Sequence, residues 1–274
     1  MWGRFPADTS SSGDLDFRRA VVSSNEILLG DFNFGSLDGF LWFSHISKGS
    51  DGHDMLVLES IERLCPVINC TFGLKVGLDK FKTSSFLKAA GIPVPDFALI
   101  PRSDDEKANA ILSRWGEALV KPRFGGFGIG IFRAKNPDDF IDLMDYSGQD
   151  TFYVERFYEN DFGDWCGINV VGGEVIYGYG KKESKIVGWK VLDRKSAGGE
   201  MILRKPSPEQ EEIALKVADK TGLDFFGVDM IKTRDGENLV VDLNTFPGIY
   251  PDMLSAAGVD VGLCFAEMVS RRLG

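Results

Sequence analysis

Histidine and basic charge are what this chain most lacks. Only His45 and His53 occur among 274 residues, which argues against a histidine-built triad or a histidine-rich metal site, and His53 reads as a loop or helix-start residue. With 31 Lys and Arg against 41 Asp and Glu, the net charge is −10. A nucleic-acid backbone needs a basic surface, so it is excluded as the main partner. The four cysteines, Cys65, Cys70, Cys166 and Cys264, form no CxxC pair and no zinc-like spacing, which points to a reducing compartment. No apolar run reaches membrane-spanning length and no basic-then-apolar leader opens the chain, so no membrane partner and a cytoplasmic location are expected. Internal repeats are absent as well.

What is present is a 43% hydrophobic, mixed-charge composition, with material for one large domain or two to three smaller ones. Residues 1–14, MWGRFPADTSSSGD, are polar and small and read as a mobile arm. Strand-like Ala20 to Leu29 and Gly39 to Ser44, a helix from His53 to Leu64 and strand-like Pro66 to Asn69 suit a small α/β domain over residues 1–78. Asp79 to Ala90 has an Asp start signal and is stopped by Gly91, with Pro93 and Pro95 marking an extended linker. A second unit, 79–150, continues with strands at Phe97–Ile100, Ala118–Pro122 and Gly128–Arg133 and helices near Ser103–Trp115 and Pro137–Tyr146. A third, 151–274, has strands at Thr151–Phe157, Trp165–Gly172 and Glu174–Tyr179, a helix over Pro208–Thr221, an acidic hairpin and a final helix over Val261–Leu273.

The hairpin, FFGVDMIKTRDGENLVVDLNTFPG from Phe225 to Gly248, carries most of the chemistry. If Asp235-Gly236 is a two-residue type I′ turn, Lys232 pairs with Leu239, Met230 with Val241 and Asp229 with Asp242. Side chains repeat every two residues along a strand, so Asn244 shares the face of Asp242, while Val228, Met230, Val241 and Leu243 turn to the core. Like charges directly opposed destabilise a sheet unless compensated. Two Asp and an amide oxygen are ligands that Mg²⁺ accepts while leaving room for substrate phosphates. The alternative is a solvated hairpin with its acids facing water. A three-residue loop or a bulge would slip the register by one and part the acids.

Three further segments stand out. In Val120 to Gly130, VKPRFGGFGIG, a strand ends in Lys121 and opens into a four-glycine loop whose amides could approach an anion. It is neither a Walker motif nor a dinucleotide fingerprint, and a glycine-rich turn explains it as well. Tyr153 to Tyr158, YVERFY, could place backbone amides and Glu155 against a base and ribose, or could be ordinary strand patterning. Lys181, Lys182, Lys185, Lys190, Arg194 and Lys195 make a basic loop in an acidic protein, with a solvated loop as the alternative.

In this order and over residues 53 to 250, these elements resemble the ATP-grasp superfamily, and within it the RimK-like amino-acid ligases related to glutathione synthetase and D-alanine–D-alanine ligase. The resemblance implies an α/β (α+β) ATP-grasp fold in which a short N-terminal domain precedes two α+β subdomains that hold the nucleotide between them. It implies Lys80 and Lys121 as nucleotide-phosphate lysines, and Gly125, Gly126 and Gly128 in the phosphate-covering loop. Glu155, Arg156 and Phe157 would hold the adenine, Asp164 would lie near the ribose, and Asp229, Asp242 and Asn244 would bind Mg²⁺, for which Mn²⁺ is an alternative. Asn244-Thr245-Phe246-Pro247-Gly248 matches the N-x-x-P-G turn beside the acyl substrate.

The implied reaction activates a carboxylate as an acylphosphate with ATP and passes it to an amine, making small-molecule acids and amino acids, glutamate first, the expected partners; a homo-oligomer is left open. Lys190 or Arg194 would stabilise the transferred phosphoryl group. The chain departs from the pattern in places. The aspartate–x–arginine signature is here Asp164-Trp165-Cys166, and Asp242 stands where Glu is commoner. Trp189, with Tyr177 and Tyr179, could stack on an aromatic acceptor or simply pack. The competing function is an ATP-binding regulatory or scaffolding protein that has lost ligation.

Overall fold

The computed structural model describes residues 19–44, 46, 52–102, 104–126, 128–181, 186–187, 190–191 and 201–274. The polar arm at 1–14, Trp189 and Arg194 lie outside them. Among the described residues no helix is long and apolar enough to cross a membrane.

The N-terminal unit runs β1 (Val21–Val22), β2 (Ile27–Leu29), β3 (Phe32–Asn33), β4 (Phe40–Leu41), α1 (His53–Glu62), β5 (Val67–Ile68) and α2 (Thr71–Leu78). β4 and β5 pair in parallel. α1 buries Met55, Leu58 and Ile61 against Phe34, Phe40 and Trp42, so its apolar stripe is what holds it there. The pattern reading passed over α2, a short helix whose sequence, TFGLKVGL, includes two glycines. Its start is capped by the Cys70 sulfur, which accepts from the Gly73 amide at 3.4 Å. Fully buried Asn69 fastens this unit to the rest. Its Oδ1 accepts from the Asp224 and Phe225 amides at 2.7 and 2.8 Å, and its Nδ2 donates to the Phe225 carbonyl at 2.7 Å.

The second unit comprises α3 (Lys80–Ala89), β6 (Phe97–Pro101), α4 (Asp105–Trp115), β7 (Ala118–Lys121), β8 (Phe132–Ala134), α5 (Pro137–Ser147) and β9 (Thr151–Arg156). Its sheet has the order β6-β9-β7-β8. The two-residue strand period sends Ala118, Val120, Phe152 and Val154 into a core with α4 and α5, and leaves Leu119, Lys121, Tyr153 and Glu155 on the opposite face. β9, grouped by sequence with the third unit, is an inner strand here, paired to both β6 and β7. Sequence order alone could not show that the chain returns to this sheet before leaving it.

The third unit holds β10 (Cys166–Val171), β11 (Glu174–Lys181), β12 (Ile186–Val187), β13 (Lys190–Val191), β14 (Met201–Leu203), α6 (Pro208–Thr221), β15 (Phe225–Lys232), β16 (Asn238–Asn244), α7 (Pro251–Ala257) and α8 (Val261–Leu273). The order of its main sheet is β14-β11-β10-β15-β16. α6 is bounded as the sequence demands: Ser207 and Gln210 form a reciprocal capping box, Pro208 takes the first turn, and Gly222 ends the helix at φ 67°. One sheet face, with Cys166, Ile168, Phe226, Val228 and Met230, packs on Leu87 of α3 and Val217 of α6. The extended linker lies alongside β16, whose Val240 amide donates to the Pro93 carbonyl at 2.9 Å.

The β15–β16 hairpin differs from the expected register in two places that cancel. Its loop is Arg234-Asp235-Gly236, with Thr233 hydrogen-bonded to Glu237 and Gly236 at φ 88°. The near pairs are therefore Lys232↔Asn238, Ile231↔Leu239 and Met230↔Val240, correcting Lys232–Leu239 and Met230–Val241. A bulge at Val241 then restores Asp229↔Asp242, Val228↔Leu243 and Gly227↔Asn244. The core residue is accordingly Val240, at 3% exposure, and Val241 lines the cleft.

Candidate active site

The polar faces of the two larger sheets meet across a cavity of about 590 Å³, within the size range of small-molecule sites. On the third-unit sheet, pairing aligns two rows across the strands. Tyr179, Gly167, Asp229 and Asp242 form one, and Tyr177, Asn169, Gly227 and Asn244 the other. The glycines make room for large neighbours. A Cβ on Gly167 would lie 2.3 Å from the Tyr179 ring, and one on Gly227 would lie 2.9 Å from Asn169 Oδ1 and 3.2 Å from Pro247. Tyr179 thus reaches across Gly167 to place its hydroxyl 3.4 Å from Asp229 Oδ1. The turn after Asn244 is held from below: Tyr177 Oη and Asn169 Nδ2 both donate to the Gly248 carbonyl, at 2.9 and 3.0 Å.

The opposing sheet contributes cations. Lys121 Nζ is 2.5 Å from Glu155 Oε2 and donates to the bulged Val241 carbonyl at 3.4 Å. Glu155 in turn accepts from Tyr153 Oη at 2.6 Å, and that hydroxyl meets Ser84 Oγ of α3 at 2.7 Å. Lys80, first residue of α3, bonds Asp242 Oδ1 at 2.6 Å. Burial alone would lower the Lys80 ammonium, but facing Asp242, with Glu155 and Asp229 beyond, raises it above its usual value. Burial and the facing Asp242 push the Asp229 carboxyl up to about 7, against the pull of Lys181 and Lys80.

Two directly opposed carboxylates, with an amide oxygen on the same face, fit a hard divalent cation. No group of three or more His, Cys, Asp or Glu suited to a metal exists among the described residues; the donor set for a cation here would be Asp229, Asp242 and the Asn244 amide.

Of the residues singled out by sequence, Lys80, Lys121, Gly125, Gly126, Gly128, Glu155, Arg156, Phe157, Asp229, Asp242 and Asn244 all line this one cavity. Asp164 does not. It closes a 3-10 turn (Phe162–Asp164), and the wall nearby is Tyr158, Asn160 and Trp165. The Arg156 and Phe157 amides are already spent on the Asp96 and Glu117 carbonyls, at 2.8 and 3.0 Å, so a base would not find those donors. Lys190 is described as backbone, paired with Val187 in the β12–β13 ribbon, and Arg194 lies outside the described residues. Tyr177 and Tyr179 are each 5% exposed and pack with Trp165, Met253 and Leu254, which makes them chiefly structural. Sequence reasoning missed Tyr153, Arg123, Trp165 and the Val241 carbonyl. Each lies within two residues of one already singled out, Glu155, Lys121, Asp164 and Asp242 respectively.

Two α+β sheets closing on lysines, a glycine loop and paired acids define an ATP-grasp protein. The chain belongs to the RimK-like ATP-grasp domain family, which matches residues 77–268. It is 31% identical over 202 residues to the tetrahydromethanopterin:alpha-L-glutamate ligase of Methanocaldococcus jannaschii, a match covering 70% of this chain and 66% of that protein. It is 24% identical to the D-alanine--D-alanine ligase of Clostridium botulinum, covering 97% of this chain and 89% of that one. In fold it is similar to the D-alanyl-alanine synthetase A of Vibrio cholerae, with TM-score 0.69, 17% identity, and coverage of 93% of this chain and 82% of the other.

Proposed function

We propose that the protein is an ATP-dependent carboxylate–amine ligase that forms an amide or peptide bond through an acylphosphate. The acceptor is a small acid, a cofactor precursor or a peptide end, and the amine is an amino acid, with glutamate the first choice because of the glutamate ligase among its relatives. The observation that supports this most is the convergence of Lys80, Lys121, Asp229, Asp242 and Asn244 on one cavity, a phosphoryl-transfer set that a simple nucleotide binder does not need.

Lys121, fixed by Glu155 and the Val241 carbonyl, and Lys80, at the start of α3, would bind phosphate oxygens from two sides. Glu155 and the Arg156–Phe157 strand end would border the adenine, and Arg133, whose guanidinium lies 3.8 Å from the centre of the Phe157 ring, braces that edge. The loop at Gly125, Gly126 and Gly128 would cover the phosphates and exclude water, which would hydrolyse the acylphosphate. Asp229, Asp242 and Asn244 are the residues that would hold Mg²⁺, which when bound neutralises phosphate oxygens and draws charge from the γ-phosphorus. A substrate carboxylate oxygen then attacks that phosphorus as ADP leaves; the amine attacks the acyl carbon, loses a proton and expels phosphate. The protein's task is mainly orientation and charge neutralisation.

The test is ADP release, by a coupled assay, across a panel of acids and amino acids with Mg²⁺. Asp229→Asn should abolish it while circular dichroism stays unchanged; normal ADP release in that variant rejects the assigned site. ATP binding by the parent protein without turnover on any amino acid would replace the ligase reading with a binding one.

A further inference from the structure

The start of the glycine loop, just past the second phosphate-directed lysine, contains a residue assigned no role so far. Arg123 lies two residues beyond Lys121, at the root of the glycine loop. Its backbone carbonyl accepts from the Lys80 amide at 2.9 Å. Its guanidinium grips the fully buried Asp79 carboxylate with two donors, Nη2 to Oδ2 and Nε to Oδ1 at 3.3 Å. Asp79 Oδ1 also caps α3, accepting from the Phe81 and Lys82 amides at 3.0 and 3.4 Å. The other flank of the guanidinium lies 5.3 Å from the centre of the Phe124 ring, which borders the cavity.

These contacts close a ring. Asp79 and Lys80 open α3, Arg123 and Phe124 begin the loop, and one main-chain bond and one forked ion pair hold the two together. A bidentate fork fixes orientation as well as distance, which a lysine at the same place would not. We propose that Arg123 is a positioning residue that sets Lys80 and the glycine loop in register, so that both meet the same phosphate chain. The inference rests on the ligase reading only in taking the phosphates to lie between those two elements. Arg123 acts through Asp79 and Lys80 and does not itself line the cavity, so its influence should be confined to the phosphate end of a nucleotide.

The experiment compares binding of a non-hydrolysable ATP analogue and of adenosine, by calorimetry, in the parent protein, Arg123→Met and Arg123→Lys. Arg123→Met should weaken the ATP analogue by about tenfold, as expected when a charged group is misplaced by a fraction of an ångström, and leave adenosine unchanged. Arg123→Lys, keeping the charge without the fork, should fall between the two and carries the comparison if the methionine variant fails to fold. Parent-like affinity for the analogue in either folded variant, or equal losses for analogue and adenosine, overturns the proposal. A parent protein that binds no ATP analogue overturns the ligase reading and this inference with it, an outcome distinct from a parent that binds and variants that do not differ.

Discussion

A single methyl group added at Gly167 tests how the acid row is built. Its Cβ would lie 2.3, 2.5 and 2.8 Å from three atoms of the Tyr179 ring, where carbon contacts settle near 3.5–4.0 Å, so the ring must retreat by about 1 Å. It has little space to do so, with Trp165, Tyr250 and Tyr177 centred 5.7, 5.4 and 6.1 Å away. Overpacking of this kind costs about 1–3 kcal/mol. The sign is diagnostic, because Gly→Ala in an uncrowded strand stabilises by about 0.5–1 kcal/mol. Gly167→Ala should therefore lower the melting midpoint, by about 2–4 °C for each kcal/mol in a chain of this size, and should draw the Tyr179 hydroxyl away from Asp229. In a Tyr179→Ala background the methyl has room, so the second substitution should stabilise by about 0.5–1 kcal/mol, giving a coupling of about 1.5–4 kcal/mol in the double-mutant cycle. Differential scanning fluorimetry of the four proteins measures this. A rise in midpoint for Gly167→Ala, or additive effects across the cycle, would refute the packing argument.

Asn69→Ala strips partners from two amides and a carbonyl at the start of β15; leaving such groups buried costs about 1–3 kcal/mol each, and urea unfolding should show a loss of at least about 3 kcal/mol, with faster hydrogen exchange at Phe225. A loss below 1 kcal/mol would mean that the N-terminal unit is fastened elsewhere. Tyr153→Phe removes the 2.6 Å donor to Glu155; stability should fall by about 1–2 kcal/mol and nucleotide affinity several-fold, because Glu155 orients Lys121, and an unchanged dissociation constant would contradict that coupling.

The parts of this fold that depend on local chemistry were legible in the sequence. The helix at Pro208–Thr221 and the helix at Val261–Leu273 have the predicted limits because Ser207, Asp260 and Gly222 supply their caps nearby in the chain. α2 and α7 escaped, one carrying two glycines and a sulfur cap, the other only seven residues long. Asp229 and Asp242 were paired correctly by a count whose turn was wrong and whose missing bulge corrected it. The contacts of Tyr153, Arg123 and Asn69 could not be read for another reason. Each acts on residues tens to more than a hundred positions away, Ser84, Asp79 and Phe225, and a linear pattern carries no record of such meetings.

The bulge at Val241 decides which face of the hairpin the two acids share. The tip at Arg234-Asp235-Gly236 is closed by the Thr233 amide donating to the Glu237 carbonyl at 2.9 Å, and from there the ladder runs in one register as far as Met230 and Val240. Were the ladder to run straight past Val240 with Val241 kept, Val241 would face Asp229, Asp242 would fall opposite Val228 with its carboxylate turned into the oily layer beneath, and Leu243 would turn outward into the cleft. One apolar residue thus serves as a spacer, and the carbonyl it releases from the ladder is the one that Lys121 reaches from the facing sheet.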